Sequence, residues 1–268
     1  MEVKGSLEYI RRLLQSGKVT FSRPEAAAVL GAGATLSNKL SRLESKGWIM
    51  PVGRGFYAII EPADHERGFA PAYSFLDDWA THRGLQYYVG GVSAAAFHGA
   101  SHQGVQEVQV VADHVLRPFE YRELKIGYFL KRSILPPMWA QQTVRSGYLR
   151  VATPEMTAYD LLFFPKACRS LSRAATILVE LGEAMRGRAL KQLPELGCEQ
   201  ASLQRLGWLL DFTGWSRLGD ALHKALRLDQ ATWRLLEPQL ARMGKRNARW
   251  RIVENTQVEP DIEKGEAE

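Results

Sequence analysis

The side chains with the clearest chemistry in this sequence lie between residues 22 and 54 and are hydrogen-bonding and cationic groups. Hydroxyl, amide, ammonium and guanidinium groups are the donors and acceptors that contact base edges and phosphates in a DNA groove. The predicted DNA contacts are Ser22, Arg23, Thr35, Ser37, Asn38, Lys39, Arg42, Lys46 and Arg54. We expect Asn38, Lys39 and Arg42 to make most of the contacts with bases and phosphates.

Two short helices are predicted upstream of most of these side chains. Apolar residues recur at helical spacing over residues 6–16, which predicts the first helix. Ser22 is a suitable N-cap for a second helix that ends near Leu30, because Pro24 fits a first turn and Glu25 completes a capping-box pattern.

A third helix and a hairpin follow. The helix is predicted from about Ala34 to Ser45, with Leu36, Leu40 and Leu43 on one face and the polar side chains on the other. Residues 48–59 then alternate around a glycine-flanked Arg54, which predicts a two-stranded hairpin. Three helices and a hairpin in this order indicate a winged helix-turn-helix, with Arg54 at the tip of the wing.

Charge is distributed unevenly along the chain. The net charge is +6, and residues 1–60 hold nine basic and four acidic side chains, while residues 166–250 hold fifteen and eight. Two basic blocks with a near-neutral block between them are typical of proteins that bind a polyanion. The alternative is that these cations are ordinary solvated helix faces.

The remaining sequence predicts a larger domain of mixed helices and strands, so the expected fold class is α+β. Strands are predicted at residues 86–89, 105–111, 124–130, 148–152 and 250–253, and helices at 74–81, 92–98, 153–163, 172–186, 200–213, 215–226 and 229–242. The predicted domains are a winged helix at 1–60, a linker and connecting helix at 61–85, a mixed domain at 86–255 and an acidic flexible tail at 256–268.

Cysteine content and hydropathy indicate a cytoplasmic protein without a membrane segment. The two cysteines, Cys168 and Cys198, are too few for a disulfide framework or a four-cysteine zinc site. No apolar run approaches 18 residues, and the N-terminus lacks the apolar segment of a signal peptide. We expect no cofactor, no metal and no catalytic residue.

A metal-dependent nuclease of the PD-(D/E)xK type is the main enzymatic alternative. Asp113, Glu123 and Lys125 have the spacing D-x9-E-x-K. Such enzymes hold Mg²⁺ with two carboxylates and place a lysine near the activated water. The same letters also fit a strand whose polar face alternates Glu and Lys.

Three smaller patterns are open to a chemical and a structural interpretation. Gly90-Gly91 between a strand and a helix fits a phosphate loop or, as we expect, a packing turn, because no complete phosphate-binding motif is present. His98 and His102 have a zinc-ligand spacing, but a hydrogen-bonded structural histidine is the preferred interpretation of His98. Ser93 and Ser101 lie near histidines without the nucleophile-elbow motif of acyl transfer.

An interaction protein without enzyme activity is the third possibility, with its surface in the helical stretch 166–250. The cations of this stretch include Lys166, Arg169, Arg173, Arg186, Arg188, Lys191, Arg242, Lys245, Arg246 and Arg249. They are interpreted as a solvated face, as further DNA contacts, or as contacts with RNA or an acidic partner. Trp208, Trp215 and Trp233 are expected in the core.

Two segments carry a resemblance to a known family. Residues 87–100 read Tyr-Tyr-Val-Gly-Gly-Val-Ser-Ala-Ala-Ala-Phe-His-Gly-Ala and resemble the yyvGG-S-A-xx-HG signature of AbiEi-type antitoxins. The stretch Val-Ala-Thr-Pro-Glu at 151–155, followed by Asp160-Leu161-Leu162, is similar to a second family segment. The tail from Trp250 to Asn255 is also similar, and the resemblance spans about residues 5–255.

The resemblance implies a transcriptional autorepressor and antitoxin of a type IV toxin–antitoxin, or abortive-infection, system. Members bind inverted repeats in the double-stranded DNA upstream of their own genes with the N-terminal domain. The C-terminal domain counters a nucleotidyltransferase toxin encoded beside them. The winged helices of members vary, so the base-reading residues proposed above depend on the helix geometry of this sequence alone.

Overall fold

The computed structural model describes residues 5–100 and 107–260. Helices and strands are mixed along the chain, which confirms the α+β fold class. Two compact units are present. The first takes in the chain up to Tyr87 with Leu116–Gly127 and Gln141–Arg150, and the second takes in Tyr88–Val115, Tyr128–Ala140 and the chain from Val151 onward.

The N-terminal elements form the predicted winged helix-turn-helix. They are α1 (Ser6–Gln15), β1 (Thr20–Ser22), α2 (Arg23–Leu30), α3 (Gly33–Ser45), β2 (Ile49–Gly53) and β3 (Phe56–Ile59). The strands form an antiparallel sheet in the order β1–β3–β2. The sequence did not predict β1, because three residues are too few for a periodic signal and β1 is a strand through its pairing with β3.

A single apolar core holds these three helices against the sheet. Leu36, Leu40 and Leu43 of α3 are buried, as their spacing predicts. Phe21 of β1 lies beneath them in the same core and packs edge-on against Tyr9 of α1, with ring centroids 5.5 Å apart. Burying each large apolar side chain is worth about 1.5–3 kcal/mol, so the core fixes α3 with its polar face outward.

A six-stranded sheet occupies the middle of the chain. The elements of this region are α4 (Ala72–His82), β4 (Tyr87–Val89), α5 (Gly91–Phe97), β5 (Val108–Ala112), β6 (Phe119–Tyr121), β7 (Leu124–Leu130), β8 (Trp139–Val144) and β9 (Gly147–Ala152). The strand order is β6–β7–β5–β4–β9–β8, with β4 parallel to β9 through Val89 and Val151. The unpredicted strands β6 and β8 are the two edges, where the outward polar residues weaken the strand pattern.

Helices and a small sheet follow. They are α6 (Pro154–Phe163), α7 (Pro165–Cys168), α8 (Leu171–Leu181), α9 (Gly187–Leu190), α10 (Gln200–Phe212), α11 (Ser216–Ala225), β10 (Arg234–Leu235), β11 (Lys245–Asn247) and β12 (Ile252–Glu254). Trp250 is fully buried and lies against α10, so that a Cβ added to Gly207 would meet its ring at 2.0 Å. The Trp250 indole N–H donates to Asp211 at 2.6 Å.

The helix predicted over residues 229–242 is wrong. This segment contains β10, which pairs in parallel with β12. The N–H of Arg234 donates to the Arg251 carbonyl, and the N–H of Leu236 donates to the Val253 carbonyl. Backbone groups that pair with a strand are not available for helical hydrogen bonds, and Pro238 would interrupt a helix in any case.

Candidate nucleic-acid interface

The first turn of α2 is fixed by the capping box that Ser22 and Glu25 predict. The Glu25 carboxylate accepts hydrogen bonds from the N–H and the hydroxyl of Ser22, at 2.7 and 2.8 Å. These bonds hold the pKa of Glu25 below its ordinary value, with the backbone hydrogen bond as the largest cause. Ser22 is buried, and its hydroxyl is engaged within the protein, so its role in the structure is to position the start of α2.

Arg23 joins three parts of the module. Its guanidinium donates to the Ser37 hydroxyl at 2.7 Å, which connects the start of α2 with the second turn of α3. Its backbone N–H donates to the carbonyl of Gly55 at 2.6 Å, in the turn between β2 and β3. The Ser37 hydroxyl in turn donates to the Gly33 carbonyl at 3.2 Å.

Lys39 contacts the end of α2. Its ammonium donates to the Leu30 carbonyl at 2.6 Å, and the side chain is half-buried. A cation at this place interacts favourably with the negative end of the helix dipole. The Lys39 ammonium therefore already has a hydrogen-bond partner within the protein. Thr35, on the same helix, is exposed.

The outward face of α3 presents Asn38 and Arg42, and Lys46, the C-cap residue, continues this row at a spacing of four residues. All three are exposed. Within residues 5–100 and 107–260 their side chains have no hydrogen bond or ion pair with the protein. Ser41 is exposed on the same helix and was missed at the sequence level, although helical spacing from Asn38 would have found it. This face therefore offers an amide, a hydroxyl and two cations to a ligand.

The wing places one further cation beside this helix-turn-helix. Arg54 is exposed in the turn between β2 and β3, and Gly55 after it adopts a left-handed φ of +71°. Glycine supports that backbone conformation without a Cβ penalty. In the part of the chain that the structure describes, the Arg54 side chain has no ion pair.

The glycine pair is a packing turn, as expected. The N–H of Val92 at the start of α5 donates to the side-chain oxygen of Gln109 at 2.7 Å. A Cβ on Gly91 would meet that oxygen at 2.3 Å, and a Cβ on Gly90 would lie 3.0 Å from Asp160. The N–H of Val92, which a phosphate loop would offer to its ligand, is therefore already bonded to Gln109.

His98 and Ser93 both have structural roles. The His98 ring nitrogen lies 2.8 Å from the carbonyl oxygen of Ala152, which confirms the preferred interpretation. The Ser93 hydroxyl is buried and accepts from the N–H of Gln109 at 2.9 Å. Ser101 and His102 lie outside the described residues.

The cysteine thiols and the acidic residues of the nuclease hypothesis do not form a recognisable catalytic arrangement. Burial raises the pKa of both Cys168 and Cys198 to about 12. Glu123 is exposed at the turn between β6 and β7, with Lys125 in β7, and Asp113 pairs with His114 at 2.9 Å. No three His, Cys, Asp or Glu side chains among the described residues are placed to hold a metal ion.

The C-terminal tryptophans differ in exposure. Trp208 is buried, as expected, and its indole N–H donates to Glu254. Trp215 is only half-buried, and its indole N–H donates to the Val179 carbonyl. Trp233 is also half-buried, so the prediction of a core position is wrong for both Trp215 and Trp233. The Trp233 ring lies under the guanidinium groups of Arg246 and Arg251, at 5.3 and 5.5 Å from its centroid.

Comparisons with known proteins agree with this architecture. A family model described as the AbiEi antitoxin C-terminal domain matches residues 88–212, and one described as a transcriptional regulator, AbiEi antitoxin, matches residues 8–60. The crystal structure of the RV2827C protein from Mycobacterium tuberculosis superposes with a TM-score of 0.68. It is 16% identical, with 91% of this chain and 89% of that chain covered, and shows a similar fold. The chain matches no curated protein.

The fold and the exposed face of α3 define a winged-helix protein with a larger α+β part. The two family models together cover about two thirds of the sequence, in the expected order. The chain belongs to the AbiEi antitoxin family. In the described residues, no helix has both the length and the apolar character needed to span a bilayer.

Proposed function

We propose that this protein is a DNA-binding autorepressor and antitoxin that acts without catalysis. Residues 1–60 would bind inverted repeats in the double-stranded DNA upstream of its own genes, in the cytoplasm. The larger C-terminal part would counter a nucleotidyltransferase toxin. The family to which the chain belongs supports this assignment, because its models describe an antitoxin and a transcriptional regulator.

The observation that carries the DNA-binding proposal is the outward face of α3. Asn38, Arg42 and Lys46 are exposed and have no partner among the described residues, while the leucines of α3 are committed to the core. Lys39, by contrast, is hydrogen-bonded within the protein and has a structural role. A polar row left available on a rigid helix is what base and phosphate recognition requires.

The geometry of B-DNA is compatible with this face. A major groove about 12 Å wide admits one helix. With α3 in the groove, Asn38 can pair with an adenine edge and Arg42 with a guanine edge, which are common pairings for these side chains. Arg54 on the wing then contacts a phosphate or the adjacent minor groove.

The test is a binding titration of the full chain with its own upstream DNA and with a scrambled duplex, at near-physiological salt. We expect a preference of about 10³ or more for the upstream DNA. Arg11→Ala is the matched control for each interface variant, because Arg11 is an exposed cation of the same module on α1. Equal, salt-sensitive binding to both duplexes would contradict operator recognition and indicate a generic basic surface.

A further inference from the structure

Lys131 is an unusual lysine of the second unit, because its side chain is buried. Its relative exposure is 8%, and its ammonium lies 4.9 Å from the centroid of the Tyr159 ring and 5.3 Å from that of Phe163. Among the described residues the ammonium has no hydrogen-bond acceptor and no carboxylate within ion-pair distance. Two aromatic faces stabilise the charge, but they leave its three N–H donors unused.

Asp160 is a buried acidic group whose charge interacts with that of Lys131, although the two do not form an ion pair within the described residues. The Asp160 carboxyl is completely buried, and its Oδ2 has no hydrogen-bond partner within the described chain. Desolvation raises its pKa to about 7, against a smaller opposite effect of the Lys131 charge. A neutral fraction of Asp160 near pH 7 leaves the ammonium with net positive charge to offer to another group.

A cavity lies over Lys131. It has a volume of about 520 Å³ and is lined by Lys131 and the next two residues, Arg132 and Ser133. Arg132 is exposed and has no ion pair within the part of the chain described. The lining also includes Phe163 and Leu196, and Glu195 is the one carboxylate among the lining residues.

The lining combines features that a phosphate ester matches. Lys131 and Arg132 supply two cations against one carboxylate, and Ser133 supplies a hydroxyl. Guanidinium groups form paired hydrogen bonds with phosphate oxygens, and a lysine adds a point charge. The ring of Phe163 provides an apolar surface for an organic body, and the volume lies within the range of small-molecule sites.

We propose that this cavity binds a small organic phosphate, with Lys131 and Arg132 contacting the phosphate and Phe163 contacting the apolar body. The site is separate from the DNA interface proposed above and does not depend on it. Its ligand would bind within the second unit, to which every one of these residues belongs.

The test uses phenyl phosphate as the probe and the full chain as the protein, with binding followed by calorimetry at pH 7. We expect saturable binding that is weaker for inorganic phosphate, which lacks the ring, and for benzoate, which has a carboxylate instead of a phosphate. Phenol, with the ring and no anion, is the neutral control. Stronger binding of benzoate than of phenyl phosphate would overturn the assignment of phosphate chemistry.

Two variants test the residues. Arg132→Gln removes an exposed charge without disturbing the interior and should weaken phenyl phosphate binding about tenfold or more. Lys131→Met should weaken it at least as much, provided that circular dichroism shows a folded chain. Arg188→Gln, at an exposed arginine of the same unit, should leave binding unchanged. Absence of binding at millimolar phenyl phosphate, or binding insensitive to Arg132→Gln, would refute the site whatever the DNA titration shows.

Discussion

Arg42 carries a guanidinium that is exposed and without a partner in the described chain, so its removal should affect DNA binding and little else. Arg42→Ala should cost about 1–3 kcal/mol of operator binding if the side chain pairs with a guanine, and specificity should relax at that base pair. A phosphate contact would instead weaken binding evenly and lower the salt slope by about one. Titrations on single-base operator variants at three salt concentrations distinguish these outcomes, with Arg11→Ala as control. Undiminished binding by Arg42→Ala would show that another face contacts DNA.

Gly90 is required by packing, and an added methyl group should destabilise the second unit. Its backbone conformation is open to any residue, but a Cβ would lie 2.8 Å from a Val111 methyl and 3.0 Å from Asp160. We expect Gly90→Ala to lower the free energy of unfolding by about 1–3 kcal/mol in urea titrations. Val111→Ala removes the closest clashing group, so the cost of Gly90→Ala should shrink in that background. Equal costs in both backgrounds would mean that the Val111 contact is irrelevant.

Asp160 should make stability depend on pH in the direction opposite to that of a salt-bridged aspartate. Its pKa in the folded protein is about 7, against 3.8 ordinarily, so the folded state holds the proton more tightly than the unfolded state. Asp160 therefore stabilises the folded state most below about pH 4. This stabilisation, at most about 4 kcal/mol, is lost as the pH rises from 4 to 7. The titratable groups that interact electrostatically with it are Lys131, Tyr88, Tyr159 and Cys198.

Asp160→Asn isolates this effect from those of the other carboxyl groups. Unfolding in urea is measured for both proteins from pH 4 to pH 8. Between pH 4 and pH 7 the free energy of unfolding of the wild type should fall relative to that of the variant. Above pH 7 the two stability curves should run parallel. Parallel profiles over the whole range would show that Asp160 titrates normally.

At the level of elements, the capping box stabilises the start of α2 and precedes Arg23, which contacts α3 and the wing. Ser22→Ala removes the hydroxyl bonded to the Glu25 carboxylate and should cost about 1 kcal/mol of stability. Ser41→Ala is the matched control, since Ser41 is exposed on α3, and its hydroxyl makes no hydrogen bond within the described chain. Thermal unfolding of both variants measures the difference. An equal loss of stability in the two variants would show that the Ser22 cap does not stabilise the protein.

Elements with a local signal were predictable from the sequence, and elements made by pairing were not. The three N-terminal helices follow from leucine spacing, a capping box and glycine stops. By contrast, β1 and β10 contain three and two residues and exist because β3 and β12 lie beside them. A partner supplied by a distant part of the chain leaves no period in the strand itself.

The candidate site shows the same division. Exposure of Asn38, Arg42 and Lys46 follows from helical geometry and was predictable. The contacts of Lys39 with the end of α2 and of Arg23 with Ser37 were not, because each joins two helices whose crossing the sequence does not specify. Long cations reach across such crossings, so their partners depend on tertiary structure.

On the scale of the whole molecule, the number of chains on the operator is the quantity to measure. Under the proposed function, each chain binds one half-site through its winged-helix module, so an inverted repeat should recruit two chains. Mass photometry on the complete operator should give two bound chains, and an operator with one repeat scrambled should give one. Inserting about five base pairs between the repeats turns the half-sites to opposite sides of the duplex and will reveal any contact between the bound copies. A single chain on the complete operator would rule out this arrangement.

The burial of Trp250 against Gly207 has a consequence during protein synthesis. The ribosome produces α10 before the tryptophan that covers it, and at about 5–20 residues per second a delay of several seconds separates the two. During this interval the surface at Gly207 that Trp250 later covers faces water. The Asp211 carboxylate then lacks the hydrogen bond that the Trp250 indole donates. The second unit is therefore incomplete until Trp250 has been synthesised, whereas the last strand of the winged helix ends at Ile59.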